Sequence, residues 1–204
     1  MDRRQNHSCT MLTEPIAVTL LVVDALEDLG VPYFIGGSLA TAVHGVARAT
    51  MDVDIVADLR VEHTAPLVAA LGDTFYADMA MIRGAILRQG SFNLIHLKTM
   101  FKVDVFVRSR QPFDQTQFRR RQVNVLAQDP ERVAYVASPE DNILAKLVWY
   151  RKGGEVSDRQ WRDIINVMRI QGDRLELPYL REWAARLAVT DLLEHALGTA
   201  DLKT

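Results

Sequence analysis

The sequence lacks the features that mark disulfide-stabilised, zinc-binding or membrane-spanning proteins. Its single cysteine, Cys9, can form no internal disulfide and no cysteine-built zinc site, and the five histidines show no metal-ligand spacing. No apolar run is long enough to cross a membrane. The apolar stretch at 16–23 is short and has no small-residue cleavage site after it, which argues against a targeting segment. These absences favour a protein of the reducing cytoplasm with no membrane partner.

An excess of charge of either sign is also absent. The chain has 24 lysines and arginines against 26 aspartates and glutamates, a formal net charge of −2. Proteins that bind long nucleic acids through their phosphates are usually more basic, so a general DNA-binding role is disfavoured, whereas a nucleotide or a briefly held RNA end remains compatible. Hydrophobic residues make up 49% of the chain and charged residues 25%, which is typical of a globular protein with one large domain or two small ones.

The hydrophobic pattern predicts an α+β protein whose last part is entirely helical. Helical spacing of apolar residues predicts a first helix over 14–29 that ends at Gly30. The further predicted elements are a strand at 33–35, a short helix at 39–44, a strand at 52–57, helices at 62–71 and 77–88, strands at 92–97 and 101–107 with a tight turn at Lys98 and Thr99, and extended segments at 122–127 and 132–136. Helices are then predicted to about 198, the first starting at Pro139 with Ser138 as its N-cap. The expected regions are a disordered tail over 1–10, an α/β core over 11–137 and a C-terminal helical region over 138–204.

Two aspartates lie two positions apart on one predicted strand. Alternate residues of a strand point to the same face, so Asp52 and Asp54 project together while Val53 and Ile55 pack behind them. Like charges this close repel unless a cation neutralises them, and Mg²⁺ prefers oxygen ligands such as these. Asp104, on another predicted strand, adds a third carboxylate if the two strands are neighbours. The alternative interpretation is a solvated strand edge, because an Asp-x-Asp pair alone is a weak signal.

A glycine turn precedes the acidic pair. Gly36 and Gly37 follow a predicted apolar strand, and glycine permits both a positive φ and a close approach of a ligand to the backbone. Ser38 then starts a short helix, where free N–H groups and the positive end of the helix dipole favour phosphate. The alternative is an ordinary strand-to-helix turn capped by Ser38. The turn is not a P-loop, since no Gly-Lys-Ser/Thr follows it, and it lacks the Gly-x-Gly-x-x-Gly of dinucleotide-binding proteins.

Taken together, these residues resemble the signature of the polymerase-β-like nucleotidyltransferase superfamily. That signature is a Gly-Ser turn, a spacer of about a dozen residues, and two acids flanked by apolar residues. The segments that carry the resemblance are Gly36-Gly37-Ser38-Leu39-Ala40, His44-Gly45, Arg48, Thr50 and Asp52-Val53-Asp54-Ile55-Val56. They look closest to small bacterial members, the toxins of AbiE-type toxin–antitoxin systems, and antibiotic nucleotidyltransferases carry a similar pattern. The resemblance implies a small mixed β-sheet core flanked by helices, with a helical C-terminal half.

The resemblance also implies roles for individual residues. Those implied to bind the phosphates of an NTP are Gly36, Gly37, Ser38 and Arg48. Those implied to bind Mg²⁺, or Mn²⁺ in its place, are Asp52, Asp54 and Asp104. Two residues of the helical half match further marks of the toxin branch: Lys146, which would contact the triphosphate, and Asp163, which would orient a basic partner or the substrate. A solvated helix face is an equally weighted alternative for both.

Three functional hypotheses follow from these residues and the resemblance. The first is a Mg²⁺-dependent transferase that moves a nucleoside monophosphate from an NTP to a hydroxyl of RNA, protein or a small molecule such as an antibiotic, releasing pyrophosphate, with Asp104 assisting deprotonation. The second is a toxin that adds nucleotides to tRNA and has an antitoxin protein as its partner. The third is a non-catalytic nucleotide-binding or partner-binding module on the same fold.

Two further groups of residues bear on the acceptor. Five arginines follow the third acid and would either line a groove for an RNA end or form a solvated basic surface: Arg108, Arg110, Arg119, Arg120 and Arg121. Four aromatic residues would either stack on a base or pack between helices: Trp149, Tyr150, Trp161 and Trp183. For His44, at the end of the short predicted helix, the sequence favours a structural role.

Overall fold

The computed structural model of the chain describes residues 10–46, 50 and 52–202, with side chains from Glu14 onward. Its helices are α1 (Thr10–Asp28), α2 (Gly37–His44), α3 (Thr64–Leu71), α4 (Met79–Arg88), α5 (Pro112–Arg120), α6 (Pro139–Lys152), α7 (Asp158–Gln171), α8 (Leu177–Arg186) and α9 (Thr190–Thr199). Its strands are β1 (Tyr33–Ile35), β2 (Asp52–Ala57), β3 (Phe75–Tyr76), β4 (Ser91–His96), β5 (Phe101–Val107), β6 (Gln122–Gln128) and β7 (Glu131–Val136). The predicted tail over 1–10 lies outside the described residues, apart from Thr10 at the start of α1.

The strands of the described chain form one mixed sheet in the order β3-β4-β5-β2-β1-β7-β6. The pairs β2–β5 and β1–β7 are parallel. Strand β4 runs antiparallel to both β3 and β5. The α+β fold with a small mixed sheet and flanking helices, as predicted from the sequence, is therefore confirmed.

Capping residues set the boundaries of the longer helices. Helix α1 ends at Asp28 and is followed by Gly30, whose φ of 63° lies in the left-handed region and whose N–H donates to the carbonyl of Glu27 at 2.9 Å. Helix α6 begins at Ser138, whose hydroxyl accepts a hydrogen bond from the N–H of Asp141 at 3.2 Å, and Pro139 takes the first helical position. The sequence predicts both of these ends. No helix in the described part of the chain is long and apolar enough to cross a membrane.

Packing divides the chain into two compact units. Unit 1 consists of the described residues of Met1–Tyr33, Arg48–Arg108 and Val125–Ala134. Unit 2 consists of those of Phe34–Ala47, Ser109–Asn124 and Tyr135–Thr204. The domain division predicted at residue 137 rests on a change of sequence pattern and stays a prediction.

The core of unit 1 lies against one face of its strands. Helix α1 packs against β2 and β5, and α4 packs against β4. The fully buried side chains of the central pair are Val53, Ile55, Val103 and Val105, which are at most 1% exposed. Because buried and half-buried residues alternate along both strands, the opposite face of this pair is partly open to solvent. This polar face carries Asp52, Asp54, Lys102 and Asp104, with Val56 and Phe106 at one end.

The core of unit 2 is built by helices. Helix α6 packs against α7 and α8, α7 against α9, and α2 against both α6 and α7. The buried side chains of this core include Phe113, Ile143, Leu147, Met168 and Trp183. The short helix that follows the glycine turn is thus held by the helical region of the same unit.

The structure corrects several predicted elements. The sequence pattern does not predict α5 or β3. Only Phe113 and Phe118 are apolar in the nine residues of α5, and β3 has only two residues. Helix α2 begins at Gly37, two residues before the predicted start. The predicted hairpin between β4 and β5 is confirmed, but its connection contains the four residues 97–100 instead of a tight two-residue turn.

The left-handed backbone at Gly30 yields a stability prediction. An alanine there would meet no atom within 4 Å, so the cost is conformational. We expect Gly30→Ala to lower the free energy of unfolding by about 1 kcal/mol, measured by urea denaturation. The matched control is Gly198→Ala in α9, where a Cβ would also meet nothing within 4 Å but the φ is not positive. Because alanine is favoured over glycine inside a helix, this variant should raise the free energy of unfolding by about 0.5 kcal/mol. Unchanged or increased stability of the Gly30 variant would contradict this account.

Candidate active site

The acidic residues predicted from the sequence lie on the polar face of β2 and β5. The two strands pair in parallel with Asp54 opposite Asp104 and Asp52 opposite Lys102. Asp52, Asp54 and Asp104 are all half-buried, whereas the valines next to them in the sequence, Val53, Val103 and Val105, are buried. Since residues paired across adjacent strands point to the same face, the three carboxylates share one surface of unit 1.

A lysine between these acids balances part of their charge. The Nζ of Lys102 lies 2.7 Å from Oδ2 of Asp104, and the side chains are 42% and 16% exposed. The hydrogen bond to Asp104 raises the pKa of Lys102 above its usual value, and the charges of Asp104, Asp52 and Asp54 contribute further. All three carboxylates therefore favour a positive charge at the position of this ammonium group.

Two polar neighbours extend this surface. The hydroxyl of Thr50 donates to the carbonyl of Asp52 at 2.8 Å and lies 3.2 Å from its Oδ1. Asn93 on β4 is the antiparallel partner of Asp104 and is exposed. The sequence analysis does not predict a place for Asn93 beside Asp104. Both residues are equally distant from the predicted turn at Lys98 and Thr99, and in a hairpin this spacing would have indicated that they pair.

The donor chemistry of this surface fits a divalent cation. No group of three or more histidine, cysteine, aspartate or glutamate side chains within the described residues is already arranged to hold a metal ion. Three carboxylates on one face nevertheless supply the hard oxygen ligands that Mg²⁺ prefers. The Lys102 ammonium lies on the same surface, 2.7 Å from Oδ2 of Asp104. That Asp52, Asp54 and Asp104 hold a metal ion stays a prediction.

The glycine turn belongs to unit 2 and leads into α2. Gly36 occupies the N-cap position of this helix, and Gly37 has a positive φ of 55°, which is unfavourable for any residue with a Cβ. Ser38 is the second helical residue, so the predicted alternative in which it caps the helix is wrong. The N-cap Gly36 makes no side-chain cap hydrogen bond, and the N-terminal turn of a helix carries the positive end of the helix dipole, which is favourable for an anion.

Two hydrogen bonds fix α2 against the start of α6. The ring of His44 donates from Nε2 to the carbonyl of Ala137 at 2.6 Å, and the amide of Asn142 donates to the hydroxyl of Thr41 at 3.0 Å. Burial lowers the pKa of His44, which favours the neutral ring in this role. The structural role predicted for His44 is confirmed.

The order of these two bonds along the chain indicates that α2 and α6 run in opposite directions. One turn before Thr41 lie Gly37 and Ser38, and one turn after Asn142 lies Lys146. Lys146 is therefore at the level of the first turn of α2. Its Nζ lies 3.0 Å from Oδ2 of Asp163 on α7, and the two side chains are only 11% and 6% exposed. The solvated helix face considered for this pair is wrong, since both residues are buried.

The arginine cluster is largely engaged by its surroundings. Arg108 pairs with Asp58 at 3.0 Å, and Arg119 donates to Thr116 at 2.8 Å. Arg120 lies 2.8 Å from Glu176 and 3.2 Å from Glu140, with its guanidinium 3.9 Å from the centroid of the Tyr179 ring. Arg121 lies over the Tyr135 ring at 4.6 Å. Arg48, also predicted to bind phosphate, lies outside the described residues.

The aromatic residues mostly pack between helices. The rings of Tyr150 and Trp161 lie 5.3 Å apart, as do those of Trp183 and Phe113. The packing role considered for these three residues is confirmed. Trp149 is 53% exposed, and the Lys152 ammonium lies 4.9 Å from its ring.

The sequence matches no protein-family model and no curated protein. Solved structures share its fold. The antibiotic-resistance factor ANT(2'')-Ia aligns with a TM-score of 0.56 and 14% identity over 91% of this chain and 99% of that one. An antigenic nucleotidyltransferase-like protein from Paracoccidioides brasiliensis aligns with a TM-score of 0.55 and 19% identity over 91% and 93%. The lincosamide antibiotic adenylyltransferase LnuA, with lincomycin bound, aligns with a TM-score of 0.51 and 17% identity over 78% and 98%. The chain thus has a nucleotidyltransferase fold, and its likeness to AbiE-type toxins stays a prediction.

The buried Lys146–Asp163 pair yields a second stability prediction. Asp163→Asn leaves the lysine buried without its counter-charge, so we expect a loss of about 3 kcal/mol in the free energy of unfolding. The double variant Lys146→Met/Asp163→Leu should lose less, because no uncompensated charge remains. Urea denaturation measures both. Glu194→Gln, which breaks the exposed pair with Arg181, is the control and should change stability little. A double variant less stable than Asp163→Asn would be evidence against the ion-pair explanation.

Proposed function

We propose that the chain is a Mg²⁺-dependent nucleotidyltransferase that transfers a nucleoside monophosphate from an NTP to an acceptor hydroxyl and releases pyrophosphate. The observation that carries this proposal is the parallel register of β2 and β5, which puts Asp104 opposite Asp54 and on the same face as Asp52. Three carboxylates in this arrangement are suited to divalent cations with bound phosphate oxygens. The nucleotidyltransferase fold supports the proposal.

The acids have distinct roles in the proposed reaction. Asp52 and Asp54 would hold Mg²⁺, or Mn²⁺ in its place, and Asp104 would complete the set. A metal held there would supply positive charge to balance that of the phosphates. Asp104 also accepts the proton of the acceptor hydroxyl. The hydroxyl oxygen then forms a bond to the α-phosphorus, while the bond from that phosphorus to the bridging oxygen of the β-phosphate breaks and pyrophosphate leaves with the electron pair.

The turn at the start of α2 binds phosphate in this proposal. The first-turn N–H groups of Gly37 and Ser38, together with the positive end of the helix dipole, stabilise phosphate oxygens. Lys146 supplies a cation at the level of this turn, and Asp163 holds it in position. Gly36 provides the N-cap backbone from which the turn starts, and Arg48 is proposed to add a further positive charge.

A small-molecule hydroxyl is the acceptor class that we favour. The arginines expected to line an RNA groove mostly pair with acids or aromatic rings of their own units, which removes much of the basis for a nucleic-acid acceptor. The fold is shared with LnuA, a lincosamide antibiotic adenylyltransferase, and with ANT(2'')-Ia, solved in complex with adenylyl-2''-tobramycin. These two neighbours support the same acceptor class.

Transfer to tRNA is the second candidate. It is supported by Lys146 and Asp163, which match the marks of the toxin branch and which lie together in the structure. An antitoxin protein would be the partner in that case. A non-catalytic module on the same fold is disfavoured, because all three acids are present.

Removal of the acids tests the proposed activity. We expect Asp52→Ala, Asp54→Ala and Asp104→Asn each to lower transfer by at least about 100-fold, because the metal ligands or the proton acceptor are lost. The measurement is incorporation of label from each α-labelled NTP into a total cell extract with Mg²⁺. Asp73→Asn, at an exposed aspartate outside β2 and β5, is the matched control and should retain full activity. Undiminished labelling by Asp52→Ala and Asp54→Ala with an intact fold would refute the proposal.

The acceptor class is tested by separating the labelled products. With a small-molecule acceptor we expect label in the low-molecular-weight fraction and on a member of an aminoglycoside or lincosamide panel. With tRNA, label would appear at tRNA 3′ ends, and expression in a naive host would arrest growth. Asp54→Ala is the control in both assays. NTP binding by calorimetry without labelling of any fraction would favour the non-catalytic module.

A further inference from the structure

Lys102 occupies an unusual place for a strand lysine. It lies directly opposite Asp52 in the parallel pair, and Asp104 follows it by two positions on the same face of β5. Its Nζ lies 2.7 Å from Oδ2 of Asp104. A positive charge is thus supplied from within the acidic surface itself.

The three acids need such a charge. Carboxylates on one face of two adjacent strands repel each other, and the residues behind them are buried, so that the backbone cannot turn them away without exposing the core of unit 1. An ammonium group on a flexible stem relieves this repulsion, whereas the more rigid guanidinium of an arginine would bind a single carboxylate through two hydrogen bonds.

We infer that Lys102 is a tethered counter-ion, which holds Asp104 when no divalent cation is bound and is displaced from it when one binds. The inference rests on the proposed function, because it assumes that the same carboxylates hold the metal. The lysine and the metal then compete for the same oxygen atoms. Lys102 is accordingly a positioning residue that acts through Asp104, and it sets how tightly the divalent cation binds.

Displacement gives the lysine a second role. Its side chain is 42% exposed and therefore has room to move, unlike the buried lysine of unit 2 at 11%. Once released from Asp104, the ammonium carries a full positive charge beside the place where the metal-bound phosphates of the NTP would lie. Lysine binds phosphate as a mobile point charge, so the released group contributes to NTP binding.

Metal titration of the full-length protein tests the competition directly. Lys102→Met and Lys102→Gln remove the competing charge. We expect both to bind Mn²⁺ about two- to fivefold more tightly than the unmodified protein, the range given by the strength of a partly exposed ion pair. The probe is Mn²⁺ alone, with free Mn²⁺ counted by electron paramagnetic resonance after removal of bound metals with EDTA. Lys102→Arg keeps the charge and should bind Mn²⁺ no more tightly than the unmodified protein.

A matched control excludes a change of overall charge as the cause. Lys98→Met removes one lysine from the connection between β4 and β5 without touching the polar face, so it should leave Mn²⁺ binding unchanged. Equal strengthening by the Lys98 and Lys102 substitutions would overturn the inference. Thermal melting in EDTA confirms that each variant is folded, and the glutamine variant takes the place of the methionine variant should that one fail to fold.

Kinetics provide a second, independent readout. We expect Lys102→Met to raise the KM for NTP severalfold while kcat changes less, because the released ammonium binds phosphate rather than taking part in proton transfer. Equal or weaker Mn²⁺ binding by both neutral variants overturns the inference even when transfer activity is intact. Absence of Mn²⁺ binding in every variant also overturns it, and the transfer assay with Mg²⁺ then shows separately whether the proposed function fails.

Discussion

The parallel register between β2 and β5 is the constraint on which the candidate site depends. Side chains alternate along a strand, so a slip of one residue would turn Asp104 into the core and Val105 out to solvent. The burial of Val53, Ile55 and Val105 beneath α1 prevents that slip, because each would lose its apolar environment. The position of the acids is therefore a consequence of hydrophobic packing on the opposite face of the strands, and no direct interaction among the acids is needed to set it.

Two lysine–aspartate pairs in this chain have opposite physical characters. The Lys102–Asp104 pair is partly exposed, so water can replace either partner and the pair exchanges at little cost. The Lys146–Asp163 pair is buried, so separating its charges leaves one of them desolvated without compensation. A ligand could therefore separate Lys102 from Asp104 at little cost in free energy. The second pair is suited to hold a cation in a constant position near the turn of α2.

Local patterns in the sequence predict most of the helices and strands but only part of the candidate site. The bounds of β2 and β5 follow from their alternation of apolar and polar residues, and those of β1 from a short apolar run. The end of α1 follows from Gly30. Helix α5 is not predictable in the same way, because its burial depends on two phenylalanines that meet residues distant in sequence, such as Trp183. The pairing of Asp104 with Asp54 required an assumption about strand order. Lys102 lies two positions before Asp104 in the sequence, but only the strand register shows that it also lies opposite Asp52.

The proposed reaction does not by itself define the acceptor. The residues proposed to bind metal and phosphate would be the same for any acceptor hydroxyl, and one fold can host many substrates because function resides in the site. An RNA acceptor would need basic side chains that are available to bind its phosphates. Arg120 is instead enclosed by Glu140, Glu176 and the Tyr179 ring, where it joins α5, α6 and α8. A residue that serves packing in this way is not available to follow a phosphate backbone, which supports the proposal of a small-molecule acceptor over tRNA.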